Sequence, residues 1–585
     1  MMQKLRIPSC LPQSQGAPSI SAFFAEMGGK SISLFSRRFN KWRVRSIAAA
    51  LFVLACLTCL TAQSRVSYKS KTGNYRISGR VLNSATGEPV RRATVAVLAE
   101  EGDQIVATAQ SDDEGRFSLD NLAAGKYPLT ASKRGYRTGF YDEHDEFNSA
   151  IVTGPDQDTT NLTLRLAPGA ILRGIVTADG GYPVVSASVM LFRHQKSAFS
   201  VDRPLHTETT VTDDTGAYEF SNLAAGEYFL VVTASPWYAM HGHSVGGRSD
   251  APEASNALDV AYPVTFFDST TDESSASPIT LADGVREEAD VNLHAVPALH
   301  LRVAAPLKQT GQIARPELRQ MVFGTPISAE SAGSLDTVRT GNIEFEGVAP
   351  GHYELTQGDP PRISDLDAST SQDVDPGVGA PAVRVTGTLH SAAGAPLPEN
   401  LQVVLDPFEN NHGQYPIVRR VLNGEFHFDT VGPGTWTLSA HGDNQTLPVV
   451  AIAAGGSTVA GNQITVRDRA LNVVATVSST LTRIQGFAYK DNKGLAGAMI
   501  VLVPSQPSAY RALLRRDQSD SDGSFALRDV PAGQYTVVAI EDGWKLDWTD
   551  RNILPRYLPT GAAVTVTDRT GAIVRLPAPV PVQPR

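Results

Sequence analysis

The residues of this sequence best suited to chemistry are aromatics on repeated loops. Tyr136 follows Tyr127 by nine positions, Trp237 follows Tyr228 by nine and Trp544 follows Tyr535 by nine, with Tyr141, Tyr238 and Trp548 close behind. Flat rings on loops offer apolar faces and polar edges on which sugar rings stack, so Tyr136, Trp237, Tyr238, Trp544 and Trp548 are candidate carbohydrate contacts. The competing reading, that these rings plug the rims of small domains, is favoured because large aromatics in small sandwiches usually bury themselves.

Two further clusters could hold a cation. Asp517, Asp520 and Asp522 before Gly523 resemble part of a calcium loop, but no distal glutamate stands at the right spacing, and a solvated hairpin turn is the better reading. His241 and His243 offer two imidazoles without a third ligand, so an exposed loop pair is favoured over a metal site. None of the 12 histidines begins a His-x-x-Glu or His-Glu-x-x-His motif, and no nucleophile elbow or phosphate loop follows residue 62. No catalytic residue, metal or cofactor is assigned, and the expectation is a protein without enzymatic activity.

The chain has 585 residues, too many for one hydrophobic core. Hydrophobic residues at 42% and charged residues at 19% fit folded material, and 49 Gly with 37 Pro point to many turns between short strands. Arg37, Arg38, Lys41, Arg43 and Arg45 precede an apolar run at 47–60, and small or polar residues follow, the pattern of a secretory signal cut near Ala62. The run is short for a membrane span of about 20 residues. Retention as an N-terminal membrane anchor, or lipidation at Cys56, is the minor alternative, and Met27 is a second candidate start. Cys10, Cys56 and Cys59 all lie within 1–62, so the expected mature chain has no thiol and no disulfide. Loss of 1–62 removes eight Lys/Arg and one Asp/Glu and takes the formal charge from −9 to −16, a poor match for nucleic acid or anionic lipid.

One phrase recurs five times. Its first copy has Gly115, Phe117, Leu119, Leu122, Gly125 and Tyr127; the second has Gly216, Tyr218, Phe220, Leu223, Gly226 and Tyr228. The third has Gly341, Ile343, Phe345, Val348, Gly351 and Tyr353, the fourth Gly424, Phe426, Phe428, Val431, Gly434 and Trp436, the fifth Gly523, Phe525, Leu527, Val530, Gly533 and Tyr535. Glycines ten apart with alternating apolar residues between them predict two strands and their turns. Asp before the first glycine suits a hairpin with positive φ, and Pro before Gly351 and Gly434 suits a type II turn.

Upstream stands an opening strand, as in Ile77-Ser78-Gly79-Arg80-Val81 and Leu172-Arg173-Gly174, with a worn version at Leu299 to Val303; apolar stretches such as 161–166 close each module. About seven short strands in roughly 100 residues make a small antiparallel sandwich. The expected division is a leader and signal peptide at 1–62, sandwiches at 74–168 and 169–296, a degenerate sandwich at 297–358, a linker at 359–381, sandwiches at 382–478 and 479–576, and an unpacked Pro-rich tail at 577–585. Such a string would form a rod or bent string. The fold class is all-β, five tandem small antiparallel β-sandwich modules after an N-terminal signal segment.

The opening Gly-x-Val strand, the Gly-x-Pro turn at Gly87 and Pro89 and the ten-residue glycine phrase resemble carboxypeptidase regulatory-like domains. These are transthyretin-like sandwiches, prealbumin-like or immunoglobulin-like in form, related to Cna B-type repeats and to starch-binding-like, carbohydrate-binding-like folds. The resemblance implies accessory, stalk or ligand-binding modules; a shared fold does not supply an activity. Cna B-type relatives can form a Lys to Asn isopeptide bond, but Arg76, Arg80, Arg173 and Arg384 stand where the lysine would sit, so none is expected.

The functional expectation is an exported, non-catalytic, multi-module structural or interaction protein of the bacterial cell envelope, whether periplasmic, cell-surface or secreted. Its partner would be an envelope protein or a polysaccharide. The alternative is a carbohydrate-binding protein using the loop aromatics, and the third reading is an accessory subunit of an extracytoplasmic enzyme or uptake system.

Overall fold

The computed structural model describes residues 72–585 apart from 101–103, 195–203, 242–256, 306–312, 331–340, 376, 393, 395, 409–415, 443–445, 456, 507–512, 549, 551 and 568–570. The leader, all three cysteines and His243 lie outside the described residues.

Each copy of the glycine phrase forms two strands. Arg116–Leu122 buries Phe117, Leu119 and Leu122 and exposes the residues between, and Ala217–Leu223 and Glu425–Val431 repeat that alternation. The first glycine of every copy turns the hairpin with φ between +72° and +82°, a left-handed conformation that a side chain resists. Six residues later the strand bulges: Asn121, Asn222, Gly347 and Asp529 have positive φ, and the second, third, fourth and fifth copies shift register against the opening strand there. The turn into the second strand is not type II, since φ is 143° at Gly434 and is not left-handed at Gly351. A side chain braces it instead. Tyr127, Tyr228, Tyr353 and Tyr535 each donate their hydroxyl to the carbonyl four residues back, and Trp436 donates its indole N–H to Gly432 in the same way, at 2.8–3.1 Å.

Among the described residues, five large clusters of buried apolar side chains come from 77–166, 170–293, 299–374, 383–477 and 484–580, referred to below as the first to fifth segments. In each, the opening strand lies beside the phrase's first strand on one side and the closing strand on the other. The opening and closing strands run parallel, with Gly79 opposite Leu162, Val176 opposite Val291, Leu301 opposite Gln372, Val385 opposite Leu471 and Arg483 opposite Ile573. The sandwiches are therefore not purely antiparallel. A parallel pair needs a crossover, and the strands of the second sheet supply it. The opening glycine lets the closing backbone approach: a Cβ on Gly79 would collide with the Leu162 carbonyl, and one on Gly486 would stand 2.6 Å from the Phe525 ring.

Two stretches expected to be irregular are built into sheets. The stretch 359–381 contains Arg362–Ala368, paired along its length with Gly351–Gln357, and Gln372–Val374, the closing strand of the third segment. It is not a linker; its Asp residues, Ser369 and Ser371 occupy solvent-facing positions, while Ala368 and Val374 enter the core and Ser364 is buried. The end of the chain is not unpacked either. Val580–Gln583 pairs with the opening strand Thr482–Lys490 and with Gly533–Ile540, and Val580 is fully buried. Proline is tolerated at 581 because it is registered against Tyr489 on one side only, the pairing with Gly533–Ile540 beginning at Val582. Phe323 from the third segment sits among Phe192, Phe229 and Phe266 of the second at centroid distances of 5.1–5.6 Å.

Candidate functional site

The candidate aromatics do not converge on one site. Tyr136 packs against the first core, with the Lys133 ammonium 5.5 Å from its ring centre. Trp237 is 93% exposed, on the turn after Gly226–Thr233, with Tyr238 edge-on at 5.7 Å. Burial, together with the hydrogen bond that the Tyr262 hydroxyl donates to Tyr238, pushes that hydroxyl up to about 12. Exposed Met240 and Leu258 flank this turn, joined by a backbone hydrogen bond of 2.8 Å, so Trp237 leads an apolar patch open to solvent.

The fifth-segment aromatics are placed otherwise. Trp548 is 3% exposed and its ring face is covered by the Arg516 guanidinium at 3.6 Å. Trp544 donates its indole N–H to the Gly497 carbonyl at 3.0 Å and stacks on His144 of the first segment at 5.4 Å, with planes 9° apart. Trp548 has no face open to a sugar, and one face of Trp544 is covered by His144. They belong to a contact between the first and fifth segments, so these two segments are not the far ends of a rod.

That contact is built on an edge strand. Ile105–Gln110 and Ile417–Arg420 occupy the sheet edge in the first and fourth segments and are largely open to solvent. The equivalent Arg515–Gln518 is buried at every position. Alternation sends Asp517 inward, where it accepts from the Ala526 N–H, and sends Arg516 and Gln518 toward the first segment. Arg516 is 6% exposed, with Asp145 at 3.0 Å and Phe147 beneath it. Gln518 donates to Ser149 at 2.9 Å and to the Asp142 carbonyl. Ser149 donates to the Ser519 carbonyl, Ala150 N–H to Asp520, and Val152 N–H to Ser521, all at 2.8–2.9 Å, while Ser521 N–H returns to the Ala150 carbonyl at 3.0 Å. Lys126 reaches Asp520 at 2.6 Å and Ser524 at 2.7 Å. Burial pushes the Asp520 carboxyl up against the opposing pull of Lys126, and burial likewise lowers Arg516 against the hold of Asp145.

The three aspartates read as part of a calcium loop are thus committed elsewhere. Asp517 and Asp520 are buried against strands, and Asp522 caps the Ser524 N–H at 2.9 Å. They are not a solvated turn either, because Asp517 faces Ala526 within its own segment and the first segment lies over Asp520. No group of three or more metal-ligating residues occurs among the described residues. His241 points to Asp259 at 2.8 Å, and the other oxygen of Asp259 takes His300 at 2.6 Å, with Glu344 at 3.3 Å beyond. Burial opposes protonation of His300, but Asp259 and Glu344 outweigh it and raise its pKa. These four residues join the second and third segments.

Among the described residues, clefts lie between segments. One of about 940 Å³ is lined by Arg137, Glu143, Arg165, Arg193 and Asp283 among others. A smaller one of about 210 Å³ is lined by Glu317, Arg319, Glu354, Arg419 and Trp436. Glu354 is 3% exposed, and burial pushes its carboxyl up to about 7 despite Arg319 at 3.5 Å. Among the described residues no helix is long and apolar enough to cross a membrane.

The model of the carboxypeptidase regulatory-like domain family matches residues 76–167 and 171–242. Colossin-A of Dictyostelium discoideum is 22% identical over 394 residues, 60% of this chain, and the match spans 3% of the length of that relative. Among solved structures, two B repeat units of the collagen binding protein of Staphylococcus aureus align at 11% identity over 70% of this chain and 100% of theirs, with a TM-score of 0.12. A minor pilin of Streptococcus agalactiae aligns at 13% identity over 38% of this chain and 97% of its own, with a TM-score of 0.19. The Bacillus anthracis TIE protein aligns at 9% identity over 92% of this chain and 78% of its own, with a TM-score of 0.16.

Proposed function

We propose that this chain, whose residues 76–167 and 171–242 form carboxypeptidase regulatory-like domains, is an exported, non-catalytic interaction protein of the cell envelope, built from five sandwich modules. The module divisions fall at 168/169, 296/297, 381/382 and 478/479, with the third module taking in the strands at 359–381. The observation that carries the reading is where the charged residues go. Arg516, Asp520 and Lys126 join the first segment to the fifth, and Asp259, His300 and Glu344 join the second to the third. Charges placed this way fix one domain against another rather than activate a reacting group. An exposed patch led by Trp237 is then the surface left for a partner.

Fractionation of the native host, followed by crosslinking from a photoreactive residue at position 237, tests this. The chain is expected outside the cytoplasm and crosslinked to an envelope component; a cytoplasmic chain overturns the reading. Carbohydrate binding is the second reading, favoured by the open face of Trp237 beside Tyr238. Retention on a polysaccharide that is lost in Trp237→Ala would establish it; no retention on any polysaccharide would remove it.

A further inference from the structure

The second and third segments meet at a histidine held between two carboxylates. His300 lies on the opening strand Leu299–Ala304, where its Nε2 stands 2.6 Å from one oxygen of Asp259 and its Nδ1 3.3 Å from Glu344. A neutral imidazole donates from one nitrogen and carries a lone pair on the other, so it would turn that lone pair toward a carboxylate oxygen. Only the imidazolium donates at both ends. The other oxygen of Asp259 takes His241 at 2.8 Å, and the His241 ring lies against Gly347, where any Cβ would collide with it. Three of the four other copies of the phrase place Asn or Asp at that bulge, so the glycine of the third copy is what admits the ring.

His241 and Asp259 directly follow Met240 and Leu258, which belong to the exposed patch led by Trp237. Among the described residues, the apolar cluster joining this stretch to the third segment is three alanines, Ala261, Ala298 and Ala349, whose side chains bury little area. The charged groups on the elements around His300 are Glu344 and Glu346 on Asn342–Val348, Asp373 on Gln372–Val374, Arg302 on its own strand, and Asp259 and His241 from the second segment. Arg302 is paired with Asp373 at 3.2 Å, and Asp259 and Glu344 face the ring. Burial opposes the charge on His300, but these two carboxylates outweigh it and raise its pKa. We propose that His300 is a proton-operated latch: charged, it holds the Trp237 patch against the third segment, and neutral, it lets the patch go. Latching is favoured in full below the ordinary histidine value of 6.5 and is lost as pH rises through the raised one. Its bearing on a partner rests on the reading of the Trp237 patch as the docking surface, whereas the latch is a property of the isolated chain, so the two fail separately.

Hydrogen exchange of the full chain, corrected for the intrinsic pH dependence of amide exchange, reads the latch at the amides of 237–241 and 257–261. Their protection is expected to fall on the order of tenfold between about pH 5.5 and about pH 8.5, while amides of Gly226–Thr233 stay protected. His300→Gln, which cannot carry the charge, is expected to show the low protection at every pH. Glu344→Gln leaves one carboxylate on the ring and is expected to move the midpoint to lower pH. Glu354→Gln is expected to behave as the parent, because Glu354 lies in the other sheet of the third segment. Protection in the parent that does not vary with pH overturns the proposal. So does a pH dependence that persists in His300→Gln, disappears in Glu354→Gln or keeps its midpoint in Glu344→Gln. If His300→Gln does not fold, Asp259→Asn replaces it, with the same loss of pH dependence expected and its persistence decisive.

Discussion

The indole N–H of Trp436 donates to the Gly432 carbonyl at 3.0 Å, the place that a tyrosine hydroxyl holds in the four other copies of the phrase. The aromatic two residues after the second glycine is therefore not only core filling. It closes the turn that brings the chain into its second sheet, and the residue must be large, apolar and able to donate at its tip, which admits tyrosine and tryptophan and excludes phenylalanine.

Tyr535→Phe keeps the packing and leaves the Pro531 carbonyl without its donor, so a loss of about 1–2 kcal/mol is expected in the urea unfolding of the fifth segment. Trp436→Phe also leaves a void and is expected to cost more, about 2–4 kcal/mol. No loss in Tyr535→Phe would argue against the turn-closing role.

Gly79→Val is expected to displace the closing strand Leu162–Leu166, because the added carbons occupy the position of the Leu162 carbonyl. Limited proteolysis reads this as new cleavage confined to the first segment, with fragments of the remaining segments intact.

Trp237→Ala should leave unfolding unchanged to within about 0.5 kcal/mol, since the ring is 93% exposed. Trp548→Ala removes a buried ring and uncovers the Arg516 guanidinium, and a loss of about 3–5 kcal/mol is expected. Thermal melts of the two variants side by side measure the contrast.

Glu354 gives the third segment a pH dependence of definite sign. Its carboxyl titrates near 7 when folded and near 4.5 when unfolded, so the folded state holds the extra proton between those values. Stability is highest with respect to this group below about pH 4.5 and falls as pH rises through 7, by about 3 kcal/mol. Glu354→Gln should flatten that slope, as chemical denaturation at a series of pH values would show.

The fold was largely legible because its repeated positions obey local rules. Phe117 and Leu119 are two apart and share a face, and Gly115 stands where φ must be positive, so period and turn chemistry suffice to find them. The stretch 359–381 was misread because its Asp residues lie on the solvent face of the sheet, where composition does not separate strand from loop. The joint around Arg516 was not legible at all. The run 515–520 is polar, and its burial depends on Asp145, Ser149 and Lys126, which no local window contains. Comparison of the five copies holds the one signal: at the edge where the first copy places Ile105–Gln110, the fifth places two arginines, an aspartate and a glutamine.

The parallel pairing of opening and closing strands also decides how a segment bears mechanical load. Tension applied through the chain enters the first segment at the start of Thr72–Asn83 and leaves at the end of Leu162–Leu166, and because these strands run the same way, the two pulling points lie at opposite ends of one ladder. The hydrogen bonds from Gly79 to Asn83 are then loaded together in shear, not peeled one at a time, and the same arrangement recurs at Val385–Leu471 and Arg483–Ile573. A chain of such segments resists stretching along its length far better than the modest size of each core would suggest.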